Sequence, residues 1–385
     1  MFFLKLIIRN AFRHRLRTVL TVVGVAIAVM AFGLLSTLVG LWYLGVESSS
    51  ATRLVTRNSI SLVFSLPVAY KDRIRQVPGV KSVSWGNWFG GVYIEPKNFF
   101  PNFAVEPGSY LGLYPEFILP PDQKAAFLLD RRGAVAGRKL AEKYRWKTGD
   151  QITLKGTIFP GEWPFVLRGI YRGAQKSTDE TQFFFNWNYL NETLKKTVPR
   201  RADQVGFYMT GVSRPDQAAE VSVAIDTLFH NSLAETLTET EKAFQLGFVS
   251  MTEAIMVAIR IVSYVVIVII MVVAANTMAM TARERMGEFA TLKTLGFGPW
   301  YIALVVFGES ITISMVGGFT GVLLTFPAAC WIEAELSQFF PVFNISPMTI
   351  YLDLLASFTV GVTAAVFPTW RGVTIGIAEG LRRVG

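Results

Sequence analysis

TARERMGEFATLKTLGFGPW, residues 281–300, is a short charged stretch between two long apolar runs. Upstream, Ile261 to Met280 carries no charged side chain, and downstream, Trp300 to Ile332 carries only Glu309. Each flank is long enough to cross a hydrocarbon core of roughly 30 Å, so residues 281–299 read as a turn at a membrane surface. Within it Met286, Phe289 and Leu292 recur at three-residue spacing. Arg283, Glu284, Arg285, Glu288 and Lys293 lie outside that stripe, which is the pattern of a short amphipathic helix. Gly296 is placed to cap its C-terminus, and Pro299 to sit in the first turn of the next helix. Two readings fit: a helix lying against the bilayer, and a solvated connecting loop with an apolar anchor.

Working outward, residues 1–17 set Lys5, Arg9, Arg13 and Arg17 beside Leu4, Ile8, Phe12 and Leu16, a basic amphipathic helix suited to an anionic membrane surface. Residues 18–46 are uncharged and exceed a signal-peptide core of about 7–15 residues, so they are expected to be a retained membrane helix. Residues 47–250 turn polar and alternate strand and helix signals, as one large extramembrane domain. A strand at Ser59–Leu66, a helix opened by Pro67, a Pro78-Gly79 turn and a strand from Val80 form a β-α-β start, completed by a late strand at Gln204–Val212 and a helix from Pro215. The intervening 92–190 is rich in aromatics, Gly and Pro and reads as an inserted β-rich lobe with a hairpin after Gly149-Asp150. From Pro215 a stalk helix is expected to run unbroken into a second span at 251–280. Val55, Leu237 and Phe244 are then stalk positions flanking the membrane. Spans at 300–332 and 346–370, joined by a loop at 333–345, and a tail at 371–385 complete the chain. The fold class is thus an α-helical membrane protein with four transmembrane helices and a mixed α/β extracytoplasmic domain, a split β-α-β lobe carrying an inserted β-rich lobe.

The composition agrees, with 51% hydrophobic and 17% charged residues. The formal charge of +9 needs no nucleic acid, because the basic excess sits at the membrane ends. Lys and Arg number five in residues 1–17, three in 281–299 and three in the tail, against none in 333–345. That bias places both termini and the central turn in the cytoplasm. One cysteine, Cys330, excludes an intrachain disulfide, and His14 and His230 are too few and too far apart for a zinc site. There is no phosphate-binding loop, dinucleotide fingerprint, nucleophile elbow or H-E-x-x-H motif. Glu309, the acid well inside a span, is either a proton or cation site or a hydrogen-bonded tie to neighbouring helices. Asp353 reads as interfacial, Cys330 as a packing residue, and Asn191-Glu192-Thr193 as a weak glycosylation sequon.

LIIRNAFRHRLRTVLTVVGVAIAV (6–29), RERMGEFATLKTLGF (283–297) with its Leu292-Lys293-Thr294-Leu295-Gly296 ending, and Glu309-Ser310 followed by Gly317-Gly318 and Gly321 resemble MacB-type, FtsX-like ABC transporter permeases. So do AVAGRKLAEKYRWKTGDQITLKG (134–156) and the tail PTWRGVTIGIAEGLR (368–382). The resemblance implies a non-catalytic inner-membrane permease subunit without the fused ATPase. ATP and Mg would be bound by two copies of a separate ABC ATPase, and a second permease copy or a paralogue would complete a dimer, with a periplasmic adaptor outside. It further implies that residues 283–296 couple to the ATPase and that hydrolysis is transmitted mechanically for export or extraction. An FtsX-like regulator of an outside hydrolase and an ion-coupled transporter using Glu309 remain alternatives.

Overall fold

The computed structural model describes residues 7, 9–175, 177–336 and 345–376, so Lys5, Ile8, Arg382 and Arg383 and most of the 333–345 loop lie outside the described residues. The chain divides into a helical unit, drawn from Met1–Leu41, Thr252–Ala334 and Phe343–Gly385, and an α/β unit, drawn mainly from Trp42–Met251.

Helix α1 is Arg15–Ser48. The α/β unit follows with β1 (Arg53–Asn58), β2 (Leu66–Pro67), α2 (Tyr70–Arg75), β3 (Val80–Trp88), β4 (Val92–Tyr93), β5 (Asn102–Val105), α3 (Tyr110–Leu113), β6 (Phe117–Ile118) and α4 (Pro121–Leu129). Next come β7 (Gly133–Gly137), α5 (Arg138–Tyr144), β8 (Gln151–Gly156), β9 (Gly161–Gly173), β10 (Phe183–Asn186), α6 (Trp187–Thr197), β11 (Gln204–Val205), β12 (Phe207–Val212), α7 (Ala218–Phe229), β13 (Thr236–Thr240) and α8 (Glu241–Met251). The helical unit resumes with α9 (Glu253–Glu284), α10 (Met286–Thr294), α11 (Pro299–Leu336) and α12 (Pro347–Thr374).

Eleven strands form one mixed sheet in the order β13-β1-β12-β3-β5-β10-β7-β9-β8-β4, with β6 on the far end of β9. The β5–β10 and β7–β9 pairs are parallel. Because β5 pairs with β3, the segment read as a separate inserted lobe extends the first lobe's sheet. Leu54 and Ile74 from the first part share a buried core with Phe165 and Phe185 from the second.

Two expectations are corrected. The first strand is Arg53–Asn58, and Ile60, Val63 and Phe64 instead stand exposed in the loop that follows. The buried positions of β1 include Arg53, Thr56 and Asn58, so polar partners hide this strand from a search for apolar alternation. The stalk helix is also interrupted. Helix α7 ends at Phe229, Asn231 takes a left-handed φ of 59°, and Thr236–Thr240 pairs with β1 before α8 begins. Leu237 and Val55 therefore lie on neighbouring strands, Val55 buried, and only Phe244 is on a helix leading toward a span. In TLTET the β-branched Thr236 and Thr238 point inward, and both hydroxyls donate to Asp226 on α7, at 2.8 and 2.7 Å. Those contacts outweigh the helical spacing of Leu228, Leu237 and Phe244.

In the helical unit, α1, α9, α11 and α12 are each long and apolar enough to cross a membrane. Val25, Val29 and Phe32 of α1 meet Ile267, Ile270 and Ala274 of α9, Ile313 of α11 and Val360 and Ala364 of α12. Helix α11 reaches α1 through Gly317 and Gly321, where an added Cβ would stand 2.7 Å from Val25 Cβ and 2.7 Å from the Ala26 carbonyl oxygen. Small residues here let the backbones close up, as membrane helix packing requires. Pro327 does not break α11, which runs on to Leu336. Cys330 is exposed, because the buried row of that stretch is Val322, Thr325 and Ala329.

Candidate functional site

Residues 286–294 do form the expected short helix, α10, and its ending is a Schellman motif. Gly296, at φ 89°, donates its N–H to the Lys293 carbonyl (3.1 Å), and Phe297 donates to the Leu292 carbonyl (3.0 Å). A side chain other than hydrogen would be strained at that φ, which explains the glycine.

The apolar stripe of α10 faces inward. Met286 and Phe289, with Ala290, are buried against Ala282 of α9, Ile302 and Val306 of α11 and Ala365 of α12. Leu292 packs partly against the same cluster. The apolar stripe of the segment expected to couple to the ATPase is thus occupied within the chain, against residues of α9, α11 and α12. What the segment exposes is its charged side, at Arg283, Glu284 and Glu288, and an apolar group at its exit, Leu295, Phe297 and Trp300, the last 79% exposed.

Charged side chains tie α10 and the end of α9 to the other spans. Arg285 turns inward and donates from Nη1 to Glu309 Oε2 of α11 at 2.6 Å, both side chains being more than nine-tenths buried. Its Nε donates to Glu288 at 2.9 Å, and its guanidinium lies 5.5 Å from the Phe289 ring centre. Glu288 also accepts from Arg13, and Glu284 accepts from both terminal nitrogens of Arg17 at 2.8 Å. Lys293 donates to the carbonyls of Val373 (2.8 Å) and Ile375 (2.7 Å), closing the C-terminal end of α12. Glu309 is thus held by an ion pair to Arg285, a contact that favours the tie over the proton or cation site. A cavity of about 10 Å³, the size of one water, adjoins it between His14, Thr18, Thr277 and Thr281.

The sequence pattern ranked Arg285 among outward charges and left Arg13 and Arg17 as lipid contacts. The available signal was Glu309 itself, since an ionisable side chain within a span commonly pairs with another.

Asp353 packs against α1: it is 1% exposed on α12, its Oδ1 has no hydrogen-bond partner among the described residues, and its Oδ2 would lie 2.6 Å from a Cβ added at Gly33 of α1. In the α/β unit, Arg53 at the start of β1 donates to Glu116 (2.6 and 3.0 Å) and, from Nε, to Glu241 at the start of α8 (2.8 Å). Tyr114 donates to Glu241 at 3.2 Å and lies under the guanidinium, 4.2 Å from its ring centre. Burial alone would pull the Arg53 guanidinium down, but its hydrogen bonds to Glu116 and the Glu241 charge hold it above its ordinary value. Burial pushes the Tyr114 hydroxyl well up, so it stays a donor. The Asn191 amide of the sequon is buried and bonded to Asp203, which leaves it no exposure for modification. Among the described residues no group of His, Cys, Asp and Glu is arranged to hold a metal.

Four membrane-length helices, with a mixed α/β domain inserted after the first, define a multi-pass membrane protein with an extracytoplasmic domain. Residues 18–228 match the MacB-like periplasmic core domain and residues 260–377 the FtsX-like permease C-terminal domain, and the chain belongs to this family of MacB-like, FtsX-like ABC transporter permeases. It is 24% identical over 402 aligned positions to an uncharacterized ABC transporter permease of Methanocaldococcus jannaschii, covering 97% of this chain and 96% of that one. The extracellular domain of the noncanonic ABC-type transporter YknZ from Gram-positive bacteria matches 49% of this chain and all of its own, at 12% identity and a TM-score of 0.36. A permease-protein domain from Porphyromonas gingivalis matches 50% of this chain and 91% of its own, at 12% identity and a TM-score of 0.32.

Proposed function

We propose that the chain is the permease subunit of an ATP-driven transporter. In this reading a separate ATPase docks at α10, and its motion is passed mechanically to the extracytoplasmic domain for export or extraction of a substrate in the periplasm or membrane. The observation that carries the reading is the set of ties around α10. One short helix is bonded through Glu288 to Arg13 ahead of α1, through Arg285 to Glu309 on α11 and through Lys293 to the end of α12, and it follows α9 directly. A force applied to α10 would therefore reach all four spans. The chain would bind no nucleotide itself, and ATP and Mg would belong to two copies of the partner, with the permease dimeric in an inner membrane and its termini cytoplasmic.

The ATPase contact would be made by the exit group, Leu295, Phe297 and Trp300, with Arg283 and Glu288 beside it. Each large apolar side chain contributes roughly 1.5–3 kcal/mol when fully enclosed. The test is purification of the chain from its native membrane, identification of a co-purifying subunit that carries a phosphate-binding loop, and measurement of ATP hydrolysis by the complex. Leu295→Asp with Trp300→Asp should release that subunit while the permease remains inserted. A complex without an ATPase, or one indifferent to both substitutions, would overturn the reading.

A further inference from the structure

On the α/β unit a groove of about 840 Å³ opens between the segment before α4, the end of α5 and β9. Its apolar lining is Ile118, Leu119, Pro120, Pro121, Ile170 and the edge of Trp146, whose ring is held by Tyr144 at 5.0 Å. Its polar lining is strongly basic. Arg138, Arg145, Lys147 and Arg172 face it, with Glu142 as the carboxylate among them. Arg138 is already neutralised, by Glu180 at 2.6 Å and Glu142 at 3.0 Å. Arg145, Lys147 and Arg172 are exposed, and none forms an ion pair with a described residue.

Arg145 carries a second signal. It ends α5 in the left-handed conformation, φ 56°, and the flanking bonds are those of a Schellman motif: Arg145 N–H to the Glu142 carbonyl at 3.2 Å and Trp146 N–H to the Ala141 carbonyl at 2.8 Å. Glycine is the favoured residue at that position, because any Cβ is strained there. The α5 turn would form more easily with glycine, so the arginine side chain is retained at a backbone cost. Strain of this kind points to use of the side chain.

We infer that this groove is a binding site for an anionic amphiphile, a ligand with a phosphate or carboxylate head and an apolar body. The three unpaired cations would take the head, and Trp146, Ile118, Leu119 and Ile170 the body. Its volume falls within the roughly 300–1,000 Å³ of small-molecule sites. The assignment is independent of the ATP-driven reading, because binding is measured on the permease alone.

The experiment uses the full chain in nanodiscs of zwitterionic lipid, titrated with dihexanoyl phosphatidic acid, dihexanoyl phosphatidylcholine and inorganic phosphate, with binding followed by calorimetry. Phosphatidic acid should saturate one site, and the other two should bind at least tenfold more weakly. Arg145→Gly should weaken binding tenfold or more while raising the unfolding temperature, a combination that a merely structural role for Arg145 would not produce. Arg172→Gln should weaken binding without changing that temperature. Equal affinity for inorganic phosphate would show that the apolar lining takes no part, and equal affinity for phosphatidylcholine would show that the cations take none. Unchanged binding in Arg145→Gly would remove the groove as the site. Any of these results overturns the assignment.

Discussion

Removing Arg285 should harm the protein more than removing its partner Glu309, and the double replacement should be milder than the sum. Arg285 has two carboxylate partners, Glu309 at 2.6 Å and the half-exposed Glu288 at 2.9 Å, whereas Glu309 has one described cation. Arg285→Met leaves Glu309 enclosed without its cation, and breaking a buried pair in this way costs about 3–5 kcal/mol. Glu309→Gln leaves Arg285 paired with Glu288 and removes mainly one charge-assisted hydrogen bond, about 1.5–3 kcal/mol. Arg285→Met combined with Glu309→Gln strands no buried charge, so its cost should fall below that of Arg285→Met alone. Unfolding titrations of the four purified proteins in mixed micelles would measure the cycle. Additive costs, or a neutral Arg285→Met, would show that the pair does not hold α10 to α11.

Three further outcomes are expected. Phe289→Ala opens a cavity where the side chain is 1% exposed and should cost about 3–5 kcal/mol in the same titration, whereas Trp300→Ala should stay within about 0.5 kcal/mol. Equal effects would mean that the stripe of α10 faces outward after all. Arg53→Met leaves Glu241 buried beside Tyr114 and should destabilise the α/β unit by about 3–5 kcal/mol, read as faster amide exchange in β1 and α8. Unchanged exchange there would show that Glu116 and Glu241 are satisfied without it. Asp353→Leu removes an enclosed oxygen that has no partner among the described residues and should stabilise the helical unit by about 1–3 kcal/mol. A lower stability would show that the carboxyl is bonded in the assembled protein.

The membrane part was legible because long uncharged runs have few alternatives, and the ending of α10 because Gly296 and the residues around it spell one capping motif. The direction in which α10 faces was not. Met286, Phe289 and Leu292 make the same stripe whether they meet lipid, a partner or the chain's own helices, and that choice depends on where three spans end. In the α/β unit the aromatic-rich middle carries β4 to β10 with helices between them, whereas β1 and β13 depart from the apolar spacing for opposite reasons. In β1 a buried arginine and asparagine disguise a strand, and in β13 a leucine falls by coincidence on a helical spacing. Arg53, Glu116 and Glu241 are far apart in sequence, so their cluster is visible only once β1, α8 and the end of α3 come together.

The ties around α10 differ in strength, and that difference decides which helix can part from it. Arg13–Glu288 and Arg17–Glu284 are partly exposed to solvent, and such pairs contribute about 0–1 kcal/mol. Arg285–Glu309 is buried, and the Lys293 bonds to two carbonyls come with the packing of Leu292, Val373 and Ile375 against one buried cluster. A load of a few kcal/mol on α10 would therefore release Arg13 and the first turn of α1 first, while α11 and α12 move with the helix as one body. If that release belongs to the working cycle, bridging Arg17→Cys to Glu284→Cys with a short bis-maleimide, in a Cys330→Ala background, should stop nucleotide-dependent motion of the extracytoplasmic domain. Bridging Lys293→Cys to Val373→Cys should leave it intact. Loss of motion in the second protein and not the first would place the yielding contact at α12 and reverse the order of strengths argued from burial.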